Sequence, residues 1–354
     1  MKTGHLLSSG IFILKLLFLA PWLLFFISSC SEDTIPVSRI LLSEENIYIG
    51  VGNQLQLRAT IVPWNASNKS LTWYSENDGI ATVDNNGTVT AISSGITRIN
   101  IMSYDKNAIS SCLVTVVKPS LSSARDYQLV FCDEFDYDGM PNQTIWEAQV
   151  WRKGVVNNEL QEYINDPIIA NCSDGILSIN ALCQGNNIIS GRFHSIPLFQ
   201  YGYFEARIKI PKGKGVWPAF WLMGIPTDWP LCGEVDILEA VGHMPTMVHS
   251  VIWSQEYSHN EVMVDYYLPT SRDEFHIYAA EIDKESVKIY VDNILVNELR
   301  DEKKGINYFP YNDQYQYTIV LNLAFGGDFG GAEGVDYSSL PASFEIDYVR
   351  VFSP

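Results

Sequence analysis

The sequence predicts an all-β protein made of two sandwiches, and three observations carry that expectation. Short runs such as Tyr203-Phe-Glu-Ala-Arg-Ile-Lys-Ile210 and Val287-Lys-Ile-Tyr-Val291 alternate in polarity, as half-buried strands do. Gly, Asn, Thr and Tyr are plentiful, and long segments of helical period are hard to find. At 354 residues the chain exceeds one comfortable domain, so two packed cores are expected.

Residues 1–29 belong to neither sandwich. Lys2 and His5 precede an apolar run from Ile11 to Ile27, broken only by Lys15 and Pro21. Its length of about 17 residues is that of a short membrane helix. However, Ile27-Ser-Ser-Cys30 follows at once, with small residues before a cysteine as a cleavage site requires. That segment resembles the lipobox of bacterial lipoproteins, which implies lipidation of Cys30. Ser31-Glu-Asp33 resembles the acidic tails that route such proteins to the outer face of the outer membrane. A lipid there anchors the chain without spanning the membrane. The expectation is an exported, surface-exposed outer-membrane lipoprotein.

Residues 37–118 form the first sandwich. Leu55, Leu57, Ala59 and Ile61 alternate with polar residues, as in one strand with a single buried face. Leu71-Thr-Trp73 and Ile99-Asn-Ile101 add short strands, and Asp84-Asn-Asn-Gly87 supplies a turn tolerant of positive φ. Thr72 to Asp84 and Gly87 to Gly95 resemble the bacterial immunoglobulin-like domain called group 2. No acid pair or aromatic cleft is visible here, so the first reading is a spacer, with carbohydrate or surface binding as the alternative. Residues 119–126, rich in Ser from Pro119 to Arg125, read as a linker. Residues 127–354 form the larger second sandwich.

The chemistry concentrates in Gly233-Glu-Val-Asp-Ile-Leu-Glu239. Its Val, Ile and Leu predict a buried strand, where carboxylates are costly unless paired or used. In a regular strand Glu234 and Asp236 share a face and Glu239 points away. One β-bulge near Ile237-Leu238 returns Glu239 to that face. The two glutamate backbones then lie roughly 13 Å apart, and inward-leaning side chains reach the roughly 5–5.5 Å of a retaining glycosidase. Upstream, Trp217, Trp221 and Trp229 suit a cleft in which aromatic faces stack on sugar rings. Trp217 and Trp221 fit an ordinary core equally well. An acidic, solvated strand face is the competing reading of the triplet.

Glu234-x-Asp236-x-x-Glu239, preceded by Trp217-Pro-Ala-Phe-Trp221 and Cys232-Gly233, resembles the signature of glycoside hydrolase family 16. The spacing matches its bulged branch, which holds laminarinases, agarases and carrageenases, and not the shorter lichenase motif. Supporting matches from about Tyr127 onward include Phe131-Cys-Asp-Glu-Phe135, Asn157-Asn-Glu-Leu-Gln161, Ser190-Gly-Arg192, Asn322-Leu-Ala-Phe-Gly-Gly327 and Ile346-Asp-Tyr-Val-Arg-Val-Phe352. The resemblance implies a concave jelly roll hydrolysing a β-1,3-glucan with retention. It makes Glu234 the nucleophile, Glu239 the acid/base and Asp236 the nucleophile's assistant; strand order alone does not say which Glu attacks. An agarase, porphyranase or carrageenase, or a mixed-linkage β-glucanase, is the alternative within the family, and a non-catalytic glucan-binding protein the alternative outside enzymes.

The same resemblance places Asn158, Glu159 and Gln161 at the cleft wall. Arg192 reads as a substrate contact or a structural ion pair. His249 lies one strand beyond the motif, and Trp253 stands where the family often carries a second histidine, free to stack on a sugar. No cofactor is required for the chemistry. A structural calcium is implied, with Asp347 as its carboxylate ligand and Glu134 and the Gly175 carbonyl as further candidates; hard oxygen donors suit that ion. The net charge of −18 argues against nucleic acid and anionic surfaces as partners, and favours a neutral glucan over a sulfated polysaccharide. Beyond Cys30, the five cysteines lack zinc-like spacing; Cys172 and Cys183 fit a disulfide or buried thiols.

Overall fold

A computed structural model describes residues 34–354 apart from 125, 227 and 258–261. The leader, residues 1–29, and Cys30 lie outside the described residues.

The N-terminal sandwich is built from a four-stranded sheet, in the order Asn46–Gly50, Ile109–Val117, Gly95–Ser103, Leu71–Ser75, and a three-stranded one, Gln54–Gln56, Thr88–Ala91, Ala81–Val83. Arg39–Leu42 pairs with Ala59–Val62 in a separate ribbon. Leu57, Val89, Ile99 and Val114 are fully buried between the layers. The run from Leu55 to Ile61, expected as one strand, divides between two sheets. Leu57 N donates to Gly87 O, whereas Arg58 O accepts from Ser43 N, so the backbone changes partners at the buried leucine. The Asp84–Gly87 turn forms as expected: the Asp84 carboxylate accepts from Asn86 N and Thr88 N at 2.8 Å, and Gly87 adopts φ 87°.

The Ser-rich segment is not an open tether. Leu121 and Ala124 are buried with Tyr203, Ala279, Tyr290 and Phe352 of the second sandwich. Ser120 N donates to the buried Glu205 carboxylate at 3.0 Å, and Ser120 Oγ lies 2.9 Å from Tyr203 OH. Tyr48, in the N-terminal sandwich, hydrogen-bonds Asp136.

The second sandwich stacks a ten-stranded sheet on a seven-stranded one as a jelly roll. The seven strands are β1 (Trp146–Ala148), β2 (Arg192–Ser195), β3 (Val216–Ile225), β4 (Glu234–Glu239), β5 (Met247–Trp253), β6 (Met263–Tyr267) and β7 (Gln316–Phe325), in the order β1-β2-β7-β3-β4-β5-β6. Alternation splits them cleanly. Val216, Phe220 and Leu222 of β3 and Ile319, Leu321 and Leu323 of β7 face the core, where Phe204, Ile208, Phe344 and Ile346 of the other sheet meet them. The opposite face of the seven-stranded sheet carries Trp217, Trp221, Asn322 and the acids.

Candidate active site

The bulge in β4 is present where the spacing demands it. Trp221 pairs with Asp236 while the preceding Phe220 pairs with Leu238, so Ile237 has no partner on β3. On the other side Asp236 pairs with Val251 and Glu239 with His249, three residues set against two. Ile237 and Leu238 are consecutive, yet both are buried in the core. That is how one extra residue turns Glu239 back to the face of Glu234 and Asp236. A regular strand would have buried the carboxylate or exposed a leucine.

Each acid has its own indole. Trp217 Nε1, on β3, donates to Glu239 Oε1 at 2.8 Å, and Trp253 Nε1, on β5, donates to Asp236 Oδ2 at 2.5 Å. Trp229 hydrogen-bonds Glu234, which also bonds Asp236. Tyr311 OH fixes the start of β4 by donating to the carbonyls of Glu234 and Trp253, each at 2.7 Å. Burial, then mutual repulsion, raises all three carboxyls. Glu239 is pushed up to about 8 by burial and by Asp236. Asp236 is held far above the carboxylate range by burial and by Glu234. The adjacent pair is joined by a hydrogen bond, and burial raises both carboxyls, Glu234 to about 7. Three groups favour the ionised form of Glu234: Asp236 through its hydrogen bond, the Arg192 guanidinium and the Trp229 indole. Among the described residues only the Trp217 indole favours the ionised form of Glu239.

Among the described residues Arg192 forms no ion pair with a carboxylate, and it is buried from solvent. Its guanidinium lies between the Trp151 and Trp221 rings, 4.4 and 4.8 Å from their centroids, with Nε donating to Gln149. Trp221 sits on the acid-bearing face, its Nε1 donating to Asn322 Oδ1 at 2.8 Å. Asn322 Nδ2 in turn donates to Tyr163 OH, which donates to Glu159 Oε2 at 3.0 Å. A buried polar chain thus runs from the indole behind the acids to Glu159.

A protein-family model for glycosyl hydrolases family 16 matches residues 158–349, more than half of the chain. The chain belongs to that family. A second model, for the bacterial Ig-like domain of group 2, matches residues 36–114. The β-glucanase of Rhodothermus marinus is 35% identical over 248 residues, covering 65% of this chain and 86% of that protein. The keratan-sulfate endo-1,4-β-galactosidase of Sphingobacterium multivorum is 28% identical, covering 64% of this chain and 55% of that protein. The crystal structure of a laminarinase from Flavobacterium sp. UMI-01 superposes with a TM-score of 0.60 at 34% identity, covering 64% of this chain and all of that one. The protein is a glycoside hydrolase, preceded by an immunoglobulin-like domain.

In this family 16 enzyme the segment expected at the cleft wall is more deeply placed than its polarity suggests. Glu159 and Gln161 are 6% and 1% exposed; Gln161 Nε2 donates to Glu159 at 2.6 Å, and its Oε1 accepts from Phe325 N. Asn158 is exposed, and its amide donates to Asp328. His249 is fully buried: Nδ1 lies 2.7 Å from Asp265 Oδ1, and its ring meets Phe329 at 5.1 Å between centroids. The carboxylates of the implied calcium site have cationic partners instead, Asp347 with Arg207 and Glu134 with Arg350 through two bonds. Among the described residues no group of three or more His, Cys, Asp or Glu side chains is placed to hold a metal. Gly175 lies in the turn between Ala170–Ser173 and Ile176–Gln184. All five described cysteines are free thiols; Cys172 sits opposite Leu177, six residues from Cys183 along the neighbouring strand, too far for a disulfide.

Sequence reasoning did not assign roles to Trp151, Tyr311, Asn322 or Phe329, and it read Trp229 as a cleft aromatic and not as a hydrogen-bond donor to Glu234. Asn322 stood inside a quoted motif, and an amide so near the acids was a usable signal. Tyr311 gave none, because it reaches β4 from 77 residues away.

Proposed function

We propose that the enzyme hydrolyses β-1,3-glucan of the laminarin type in endo fashion and with retention, Glu234 attacking and Glu239 acting as acid then base. The asymmetry of partners carries the reading. Glu234 is the carboxyl that meets Asp236, a cation and an indole; pushed up only to about 7 against about 8 for Glu239, it is the one that ionises first for attack. Glu239, with a single donor and a raised pKa, keeps a proton at neutral pH. In the first step Glu239 gives that proton to the glycosidic oxygen while a Glu234 oxygen bonds the anomeric carbon and the leaving chain departs. In the second, the Glu239 carboxylate takes a proton from water, the hydroxyl joins the anomeric carbon from the vacated face, and Glu234 is released. Asp236 stays hydrogen-bonded to Glu234 as the negative charge returns there.

The relatives named as β-glucanases and the net charge of −18 favour a neutral glucan over a sulfated chain. The galactosidase relative keeps galactans in the comparison. Purified protein assayed on laminarin, mixed-linkage glucan, agarose and carrageenan tests the reading, with Glu234→Ser as the inactive control. Cleavage of agarose alone would move the specificity to the galactan branch; cleavage of none would refute the activity. Roles separate by azide rescue: Glu234→Ala should yield the α-glycosyl azide, Glu239→Ala the β-azide. For location we propose lipidation at Cys30, with the Ig-like domain as spacer on the outer surface of the cell.

A further inference from the structure

One end of the Ig-like domain exposes apolar rings. Trp64 is 82% exposed in the loop after Ala59–Val62, and Tyr104 is 71% exposed at the turn after Gly95–Ser103. Ile35 and Ile109 beside them are 39% and 61% exposed. These residues share one end of the fold. Ser67, three residues past Trp64, exchanges two hydrogen bonds with Ile35, each 2.9 Å long. Tyr104 N donates to Ser70 O in the same loop. Beneath them Val37, Ala66 and Ala108 form one small buried cluster. Isolated exposed side chains need no explanation, but two aromatics and two isoleucines on one tip do.

Chain connectivity says what this tip faces. Ile35 lies five residues from Cys30, a reach of at most about 18 Å when fully extended. Val117, at the far end of Ile109–Val117, leads to the enzyme, so that strand carries the catalytic domain away from the tip by about 26 Å. Charge agrees. In a chain of net charge −18, the described part of the tip presents Lys69 and Lys106, and the Asp105 carboxylate beside Lys106 is occupied with Ser103 and Asn107. Trp and Tyr, with an apolar body and a polar edge, are the side chains that settle at a lipid headgroup layer, and lysines suit its phosphates.

We infer that the Trp64–Tyr104 end of the Ig-like domain is a lipid-facing foot, which seats on the bilayer surface and holds the domain upright above it. The inference rests on the lipidation of Cys30 proposed above. Two readouts on the full chain keep the two apart. Membrane fractionation of wild type against Cys30→Ala reads the anchor, and loss of the difference overturns both. The anchored chain, reconstituted in phosphatidylethanolamine and phosphatidylglycerol vesicles with brominated acyl chains, reads the foot. A part of the tryptophan emission should be quenched, and Trp64→Ala should abolish that part while leaving laminarin hydrolysis unchanged. Equal quenching in the variant overturns the foot alone. So does weaker binding of Trp64→Ala to insoluble β-1,3-glucan with vesicle quenching unaltered, which would make the tip a sugar platform.

Discussion

The Trp217 indole sets the acidity of the proposed acid/base, and Trp217→Phe isolates that effect. The substitution keeps an aromatic ring and removes the donor that lies 2.8 Å from Glu239 Oε1. Hydrogen bonds to charged groups contribute about 1.5–3 kcal/mol, and the lower end suits a half-buried pair. At 1.36 kcal/mol per unit, about 1.5 kcal/mol is about one pKa unit. The bond opposes burial and Asp236, which push Glu239 up to about 8. Without it the carboxyl holds its proton to higher pH. The basic limb of kcat/KM on laminarin, which reports the free enzyme, should therefore move upward by about one unit. The same loss raises the barrier for donating the proton, so kcat at the optimum falls up to about tenfold. A basic limb that stays put or moves down would refute the assignment of Glu239 as the group that must be protonated.

Arg192→Met removes the cation that lowers the Glu234 pKa; the acidic limb of kcat/KM should move up, the opposite flank from Trp217→Phe. Arg192→Lys keeps the charge but loses the planar stack between Trp151 and Trp221, and urea unfolding should show a loss of about 1–2 kcal/mol. Glu205 is fully buried, and burial raises its pKa. Its stability contribution is complete below the unfolded value of about 4.3 and is lost as pH rises through the folded one. Glu205→Gln should accordingly gain on wild type at pH 8 relative to pH 4 in urea titrations. Gly224→Ala would put a Cβ 2.0 Å from Cys232 O, where β3 passes the lead-in to β4. It should cost about 1–3 kcal/mol by thermal unfolding and loosen Glu234, lowering kcat.

The catalytic strand was legible because its acids and its aliphatics obey different constraints. Three carboxylates at that spacing reach one face only with a bulge, and the two adjacent core residues Ile237 and Leu238 are the bulge's signature. The sandwich was legible from alternation. Side-chain partners were not. Trp217 and Trp253 read as stacking platforms, and the structure engages both through their N–H groups. Glu159 and Gln161 read as an open wall, but Tyr163 of the same short strand as Gln161 and Phe325 and Asn322 of the distant β7 engage them. The division of Leu55–Ile61 between two sheets depends on Gly87 and Ser43, which no local period reports.

The buried linker changes how the cleft finds its substrate. Eight free residues would give the enzyme a radius of roughly 16 Å in which to sample around its support. With Leu121 and Ala124 packed under Tyr203 and Phe352, that sampling volume shrinks to almost nothing. The mouth of the cleft then keeps one bearing and one height relative to the Ig-like domain. A polymer must be brought to it by its own diffusion or by drift of the whole molecule, and glucan strands approaching from other directions go uncut.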